Sequence, residues 1–303
     1  MEIASPVTGS LSTSLVMEME VSRINDLYLA EQHLDVLPYF HGLKKIQLRR
    51  CNDTGYRFYY PMNIYGDDLF YQHLQQTGIY YLREKWEYDK AASLIGNNKK
   101  VLEIGSGAGF FMQKLKAGKH AHLTGLELNT NQVEIAQGNG FNVINETIES
   151  FSERNPGSFD TVVTLQVLEH VPEVRSFLKG ALAALKPGGQ LIICVPHNNP
   201  YIYKHEVYHT LNLPPHQAGL WDGPSFRSLE RFFPMRLNGI FVEPLSDYKR
   251  WYQVQCQWLR EKRSPLAGAL GLIPAPVYKN VLRLIRHFIE GRNILVEFVK
   301  THS

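Results

Sequence analysis

A glycine-rich segment carries the strongest chemical signal in the 303-residue chain. Residues 101–110 read VLEIGSGAGF, an apolar run typical of a buried strand that passes into glycines at alternate positions. Gly105 permits a tight turn, Gly107 lets a ligand approach the backbone closely, and a helix that follows offers free N–H groups. The pattern predicts a ligand-binding loop between a strand and a helix.

Two acidic residues indicate the ligand. Glu103 stands two residues before the first glycine, where a carboxylate suits a cation that carries an ammonium and a sulfonium. Glu127 ends the next apolar run, where a carboxylate can accept hydrogen bonds from both hydroxyls of a ribose. The alternative for Glu127 is a solvated residue at a strand end. A dinucleotide oxidoreductase is disfavoured, because Phe110 replaces the third glycine of the GxGxxG pattern.

The elements around this loop alternate between strand and helix. Short apolar runs predict buried strands at residues 99–105, 121–128, 142–145, 159–165 and 190–196. Helical patterns lie between them at residues 109–117, 130–138 and 173–185. Lys186-Pro187-Gly188-Gly189 predicts the end of the last helix and a turn. This alternation predicts an α/β fold with a doubly wound, mostly parallel sheet.

Further regions flank the alternating segment. The expected organisation is an N-terminal extension at 1–65, a helical lead-in at 66–98 and a main domain at 99–303. Within the main domain we expect a substrate cap at 197–224 and a helical insert at 249–290, broken by a proline-rich stretch. A short helix at 225–233 and strands at 239–245 and 294–300 complete the prediction.

Several segments in order carry a resemblance to a known family: VLEIGSGAGF, GLEL, NETIESF and FDTVVTLQVLEHVPEVRSFLKGALAALKPGGQLIICVP. They resemble the class I S-adenosylmethionine-dependent methyltransferases, in particular the branch of the ubiquinone-biosynthesis O-methyltransferases and of glycan- and small-molecule-modifying relatives. The resemblance covers about residues 99–196. It implies a Rossmann-like sheet with seven strands, the last antiparallel, and S-adenosyl-L-methionine as the cofactor.

The resemblance also implies where the cofactor lies. The first carboxylate and the glycine loop would flank its methionine part, the second carboxylate would hold the ribose, and Thr147 and Ile148 would lie against the adenine. The full set of expected cofactor-binding residues is Glu103, Gly105, Ser106, Gly107, Gly109, Phe110, Glu127, Leu128, Thr147, Ile148, Leu165 and Gln166.

Glu169 and His170 follow the fourth predicted strand, at the edge where such a pocket forms. A histidine is well suited to take a proton near neutral pH, so this pair is the first catalytic candidate. In the ubiquinone-type relatives an acidic residue three positions earlier completes a metal site. That position is Gln166 here, so no metal is expected. The alternative for His170 is a helix-capping or pocket-wall residue.

His216 is the second catalytic candidate. It lies in LPPHQ at 213–217, where prolines stiffen a loop. Similar PPHH loops occur in relatives thought to act on sugars, although Gln217 replaces the second histidine. Tyr201 and Trp221 could stack on a sugar or aromatic ring. The alternative for His216 is a packed surface loop. Weaker candidates in the same segment are His197, His205 and His209.

Two segments outside the core have their own patterns. Ser5, Thr8, Cys51 and Thr54 occupy the positions of the four cysteines of a zinc ribbon, so we expect a similar shape without metal. Tyr80-Tyr81 and Lys85–Tyr88 resemble a motif that closes over the methionine end of the cofactor in relatives, with a packing helix as the alternative.

The late stretch Val277–Ile289 predicts an amphipathic helix. Its apolar face comprises Val277, Val281, Leu284, Ile285 and Phe288, and its other side comprises Lys279, Arg283, Arg286 and His287. A helix on a membrane surface has such a pattern, but an ordinary helix packed on its domain is the commoner explanation.

Composition limits the function classes. The net charge of +3 gives no support to a dedicated nucleic-acid binder, and three scattered cysteines exclude a disulfide scaffold. No secretory signal or spanning segment is expected, so a cytoplasmic protein without stable membrane insertion is predicted. The expected function is O-methylation of a sugar or another small hydroxylated molecule, by a chain that could form a homo-oligomer. Alternatives are an N- or C-methyltransferase and a non-catalytic cofactor-binding module.

Overall fold

Two β-sheets organise the chain in a computed structural model, which describes residues 2–76, 84–119, 121–198, 208–264 and 273–301. The strands are β1 (Thr13–Glu20), β2 (Lys45–Cys51), β3 (Arg57–Tyr60), β4 (Lys100–Ile104), β5 (His122–Leu126), β6 (Val143–Ile144), β7 (Phe159–Leu165), β8 (Leu185–Pro196), β9 (Gly219–Leu220), β10 (Met235–Pro244) and β11 (Glu290–Lys300).

The helices cover both faces of the larger sheet and fill the connections. They are α1 (Val21–Gln32), α2 (Asp68–Gln76), α3 (Trp86–Leu94), α4 (Phe110–Lys119), α5 (Thr130–Gly138), α6 (Ile148–Arg154), α7 (Val174–Ala184), α8 (Gly223–Ser228), α9 (Tyr248–Glu261) and α10 (Ala275–Ile285). Short 3₁₀ helices lie at Leu37–Phe40, Leu168–His170, Thr210–Asn212, Leu229–Arg231 and Arg286–Phe288.

The larger sheet has, among the described residues, seven strands in the order β10-β11-β8-β7-β4-β5-β6. The pairs from β8 to β6 are parallel, and β11 runs antiparallel to both of its neighbours. This confirms the predicted doubly wound, mostly parallel sheet with one antiparallel strand.

Both faces of this sheet are buried, as apolar strands of a parallel sheet require. On one face, Val101 belongs to a buried cluster with Phe111 of α4 and Ala91 of α3. On the other face, Leu102 belongs to a cluster with Phe177 and further residues of α7. Successive side chains of β4 therefore anchor helices on opposite sides of the sheet.

Strand register brings several chain segments to one edge of the sheet. Ile104 at the end of β4 pairs with Leu126 on one side and Thr164 on the other. Leu165 at the end of β7 pairs with Cys194 of β8. The loops that follow β4, β5 and β7 therefore start side by side at this carboxyl edge.

The smaller sheet, with strand order β1-β2-β3-β9, joins the N-terminal extension to the segment 197–224. Its last strand, β9, comes from the segment predicted as a cap, and Phe58 of β3 pairs with Gly219. Leu213 and Trp221 are fully buried, so the described part of that segment is an internal connection rather than a surface loop.

The four positions compared with zinc-ribbon cysteines, Ser5, Thr8, Cys51 and Thr54, lie close together in the N-terminal segment. The Thr8 hydroxyl lies 3.8 Å from the Cys51 thiol. Burial alone would raise the pKa of that thiol, but hydrogen bonds with Ser5, Thr54 and Thr8 together lower it. The segment also contains α1, a twelve-residue helix that the sequence patterns did not predict.

Two further elements differ from expectation. Helix α6 was not predicted; the Thr147 side chain caps it by accepting a hydrogen bond from the Ser150 N–H. Strand β8 already begins at Leu185, which pairs with Phe159, whereas Thr161 pairs with Gln190. Residues 186–189 are thus a bulge within the strand instead of a turn before it. Within the described ranges, no helix combines the length and apolar character needed to cross a bilayer.

Candidate functional site

A cavity of about 880 Å³ opens at the carboxyl edge of the larger sheet, within the size range of small-molecule sites. The catalytic candidates Glu169, His170 and His216 all lie on its wall. So do most of the expected cofactor-binding residues: Gly105, Ser106, Gly107, Phe110, Glu127, Leu128, Thr147, Ile148, Leu165 and Gln166. The two sets of candidates, predicted separately, therefore share one cavity.

The glycine loop depends on its glycines for shape. Gly105 and Gly107 have φ angles of +74° and +51°, in the left-handed region that side chains disfavour. A Cβ atom on Gly105 would collide with the Val167 side chain. The backbone N–H groups of Gly105 and Ser106 both donate to the Leu126 carbonyl, at 2.8 and 3.0 Å. The loop is thereby fixed against the end of β5.

Glu127 is held in one orientation by backbone donors. Its Oε2 accepts from the Gly107 N–H at 2.8 Å, and its Oε1 accepts from the Asn129 N–H at 2.9 Å. Each carboxylate oxygen has further acceptor capacity. Both oxygens can therefore receive hydroxyl donors from the cavity while the backbone fixes the carboxylate.

Glu103 and Gly109 are the two expected cofactor residues that do not line the cavity. Glu103 is buried beneath the loop, where its Oε2 has no hydrogen-bond partner among the described residues. Burial, with a contribution from Glu127, raises the pKa of Glu103 well above its ordinary value. Gly109, with φ +84°, instead allows packing, because a Cβ there would lie 2.9 Å from the Phe141 ring.

His170 and His216 form a pair, with ring centroids 4.6 Å apart. His170 Nδ1 lies 2.5 Å from the His216 carbonyl oxygen, and His216 Nδ1 lies 2.7 Å from the Leu211 carbonyl oxygen. Because a carbonyl oxygen only accepts, each Nδ1 carries the hydrogen and donates it. In each neutral ring the lone pair is therefore at Nε2.

Burial keeps both rings neutral. It lowers the pKa of His170 to about 4, although the hydrogen bond with the His216 backbone opposes this shift. It lowers the pKa of His216 to about 3, with the neighbouring His170 adding to the effect. The Tyr71 ring packs edge-on against His170, and its hydroxyl donates to the His216 carbonyl at 3.3 Å.

Glu169 is almost fully buried beside this pair. Its Oε1 lies 3.7 Å from His170 Nε2, and its Oε2 lacks a hydrogen-bond partner within the described part of the chain. Burial raises the pKa of Glu169 to about 8. A carboxyl that titrates near neutral pH thus stands next to an imidazole lone pair.

A chain of polar side chains leads away from Gln166. Its Nε2 donates to the Asn293 Oδ1 at 3.2 Å, and the Asn293 Nδ2 donates to the Glu243 Oε2 at 2.9 Å. Burial raises the pKa of Glu243. Gln166 itself has a φ of +59°, a rare conformation for a side-chain-bearing residue, which fits a functional position. Sequence reasoning missed Asn293, Glu243 and Tyr71; a charged residue inside the apolar run 239–245 was the available signal.

The lead-in motif reaches the same cavity. Lys85, Trp86, Glu87 and Tyr88 lie on the wall, at the start of α3. Burial raises the pKa of Glu87. The Tyr80-Tyr81 part of that motif lies outside the described residues, as do Tyr201 and His205.

The remaining candidates of the cap segment differ in whether they line the cavity. His209 lies on the cavity wall, and burial lowers its pKa to about 4. Trp221 and His197 are not on that wall. The expectation that Trp221 stacks on a ligand is wrong, because its side chain is fully buried between Phe226 and Tyr56, at centroid distances of 4.7 and 4.2 Å.

Among the residues that the structure describes, no group of three or more histidine, cysteine, aspartate or glutamate side chains is arranged to hold a metal ion. Gln166 donates its amide hydrogens to the Cys194 thiol and to the Asn293 side-chain oxygen.

Comparison with known proteins gives sequence matches at modest identity. The chain is 34% identical over 132 residues to the ubiquinone biosynthesis O-methyltransferase of Pseudomonas aeruginosa (strain UCBPP-PA14), covering 42% of this chain and 55% of that protein. The same values apply to the protein of that name from Dechloromonas aromatica (strain RCB). The chain therefore spans about half the length of these curated relatives.

The fold has a match among solved structures. The crystal structure of a SAM dependent methyltransferase from Archaeoglobus fulgidus is similar with a TM-score of 0.53 at 16% identity, covering 77% of this chain and 100% of that chain. Residues 76–236, more than half of the chain, match the family described as "Methyltransferase domain". The chain belongs to this methyltransferase domain family, and it has the class I fold whose cofactor is S-adenosylmethionine.

Proposed function

We propose that the protein transfers a methyl group from S-adenosylmethionine to a hydroxyl of a small molecule, with a sugar or a similarly hydroxylated compound as the acceptor. One observation carries the proposal: a single cavity joins the carboxylate Glu127 and its glycine loop to the buried pair His170 and His216. The names of the ubiquinone biosynthesis O-methyltransferases that match this chain support transfer to oxygen.

The residues present fit the cofactor. Glu103 lies off the cavity wall, but its buried oxygen, without a hydrogen-bond partner among the described residues, is suited to accept from the cationic methionine end. The backbone-held carboxylate of Glu127 suits the two ribose hydroxyls. Thr147 and Ile148 line the same cavity as this carboxylate, and they are the residues we propose for the adenine. The bound cofactor supplies a methyl group already activated by a sulfonium. The chain therefore has to position the acceptor, exclude water and remove a proton.

The proton is the task of the buried pair. An acceptor hydroxyl next to His170 can give its proton to the Nε2 lone pair, which the Nδ1 hydrogen bond keeps available. A carboxylate at Glu169, 3.7 Å from that nitrogen, stabilises the imidazolium that forms. His216 fixes the tautomer of His170 through its backbone carbonyl and lies close enough to act on a second hydroxyl.

The acceptor side of the cavity favours a hydroxylated compound. Gln166, Asn293 and Glu243 present amides and a carboxylate, groups that hydrogen-bond to hydroxyls. A transfer to nitrogen is the second candidate, because the acidic residues Glu87 and Glu243 on the cavity wall could also accept hydrogen bonds from a neutral amine.

The test compares turnover with cofactor binding in two variants. His170→Gln is expected to lower kcat by about 100-fold or more on hydroxylated acceptors, the usual contribution of a general base. His216→Gln is expected to lower kcat less, because its backbone carbonyl still orients His170. Their affinity for S-adenosylhomocysteine, measured by calorimetry, should stay within about twofold of the wild type. His122→Gln is the matched control, because this exposed histidine begins β5 at the opposite edge of the sheet.

Two outcomes distinguish the alternatives. Unchanged turnover in both variants on an amine acceptor would replace oxygen by nitrogen as the target, because a neutral amine needs no strong base. Cofactor binding without turnover of any hydroxylated or amine acceptor would identify a non-catalytic binding module.

The three free cysteines, Cys51, Cys194 and Cys256, fit a reducing compartment, which supports our proposal of a cytoplasmic enzyme.

A further inference from the structure

Helix α10 turns its more apolar face away from the protein. Its packed side is narrow: Leu282 and Tyr278 contact the cluster that contains Trp251 and Val254 of α9. Val277, Val281, Leu284 and Phe288 are exposed to 52%, 51%, 81% and 90%. The helix that the sequence analysis expected to be packed through this apolar face is thus packed through a different one.

The exposed residues form a continuous ridge. Val277, Val281 and Leu284 are spaced four and three residues apart, which places them in line along one helix face over roughly 10 Å. Phe288, in the 3₁₀ turn that follows, extends the apolar surface. An apolar ridge of this size with no covering residues from the described chain indicates a partner surface.

The charge of the surrounding helices specifies that partner. Residues 248–288 contain eight lysines and arginines but one glutamate, a net charge of +7 in a chain whose total is +3. The rest of the chain therefore carries −4. Lys279 and Arg283 lie on the side of α10 opposite the apolar ridge. The segment from 273 to 288 contains no acidic residue.

We propose that α9 and α10 form a docking surface for an anionic lipid bilayer. The apolar ridge from Val277 to Phe288 enters the boundary between headgroups and acyl chains, and the basic side chains face the phosphates. A second copy of the chain fits less well, since two surfaces of the same high positive charge would repel each other. This inference is independent of the methyl acceptor and goes beyond the proposed function.

Vesicle co-sedimentation of the full chain tests the proposal. We expect binding to vesicles of phosphatidylcholine and phosphatidylglycerol in equal parts, weak binding to phosphatidylcholine alone, and a loss of affinity as salt rises. The double variant Leu284→Gln/Phe288→Gln should lower the affinity by at least about tenfold. The double variant Lys279→Gln/Arg283→Gln should abolish most of the preference for the anionic lipid.

Leu69→Gln is the control, because Leu69 is 70% exposed on α2, outside the basic segment 248–288. This control should bind vesicles like the wild type, and all variants should keep their affinity for S-adenosylhomocysteine. No binding to either vesicle, or equal binding to both, would overturn the proposal. So would a wild-type dimer in sedimentation equilibrium that ignores vesicles and dissociates in the Leu284→Gln/Phe288→Gln variant, which would assign the ridge to a second copy.

Discussion

The two halves of the cavity are built in different ways. The half that we propose for the cofactor, called the cofactor half, consists of loops that directly follow neighbouring parallel strands, with Gly105 after β4 and Glu127 after β5. The half that we propose for the acceptor, called the acceptor half, gathers Tyr71, His216 and Asn293 from segments that lie far apart in the sequence. The first arrangement follows from strand register alone. The second depends on contacts between the larger sheet, which includes β11, and segments next to the smaller sheet.

The halves also differ in how they treat charge. Glu103, buried off the wall of the cofactor half, is a carboxyl whose pKa is raised by burial and by Glu127. His170 and His216 in the acceptor half are buried bases whose lowered pKa values keep them neutral. Under the proposed function, the cofactor half recognises an existing charge and the acceptor half receives a proton.

The largest expected effect tests the cofactor half. Gly107→Val places a β-branched side chain at a φ of +51° and on the cavity wall. We expect the affinity for S-adenosylhomocysteine to fall by ~1,000-fold, equivalent to ~4 kcal/mol. Calorimetry measures it, and thermal unfolding shows whether the variant is folded.

Gly118→Val serves as the matched control, because a Cβ at Gly118 in α4 meets no atom within 4 Å. Its cofactor affinity should equal that of the wild type. If Gly107→Val also kept its affinity, the glycine loop would have no role in binding, and the difference between the two halves would lose its basis.

The cofactor half was predictable because its residues are local in sequence. Gly105 and Glu127 could be placed from two strand-end signals, and the structure puts both on the cavity wall. Gly109 lies off the cavity wall for a physical reason: a glycine can serve packing as well as ligand approach, and a Cβ at Gly109 would meet the Phe141 ring. Similarly, Trp221 carried no local sign of burial, because the rings of Tyr56 and Phe226 that cover it come from other elements.

The acceptor half could be predicted only in pieces. His170 and His216 were recognised separately, but their contact depends on a long-range fold that no periodicity reports. Asn293 and Glu243 were missed, because the sequence of an apolar strand does not show which strands it pairs with or which polar residues that pairing brings together. The apolar pattern of α10 was seen, although which face packs depends on the narrow contact of Leu282.

The second prediction separates a carboxylate role from a neutral one at Glu169. Because burial raises its pKa to about 8, the ionised fraction grows as pH rises through that value. We expect kcat to rise through pH 8, and Glu169→Gln to abolish this rise, leaving kcat ~100-fold below the wild type at high pH. The gap should narrow at lower pH, where the wild-type side chain is neutral as well. An unaltered pH profile would remove Glu169 from the proton transfer.

The third prediction concerns acceptor binding. Asn293→Ala breaks the chain between Gln166 and Glu243 without touching the histidines. We expect KM for a hydroxylated acceptor to rise by ~10-fold with a smaller change in kcat, as for a lost hydrogen bond made equally in the ground state. Steady-state kinetics measure both values. A fall in kcat at constant KM would move Asn293 from acceptor binding to the reacting centre.

The smallest expected effect compares the halves through their opposite pH dependence. The folded-state pKa of His170, about 4, lies below its ordinary 6.5, so its contribution to stability is present above pH 6.5 and is lost as pH falls towards 4. Glu103 has a raised pKa, so its contribution is present below its ordinary value of 4.5 and is lost as pH rises.

Urea unfolding at several pH values therefore gives a prediction of sign. Between pH 6.5 and 4, unfolding of the wild type includes uptake of one proton by His170, and His170→Gln should remove that uptake. The unfolding free energy should then fall less steeply with decreasing pH, by up to ~1.4 kcal/mol per pH unit. Glu103→Gln should instead reduce the loss of unfolding free energy that occurs as pH rises above 4.5. Slopes that change in the same direction in both variants would contradict the division into a charge-recognising half and a proton-receiving half. Since the slope depends on protons bound and not on absolute stability, the comparison holds even where a substitution lowers the stability overall.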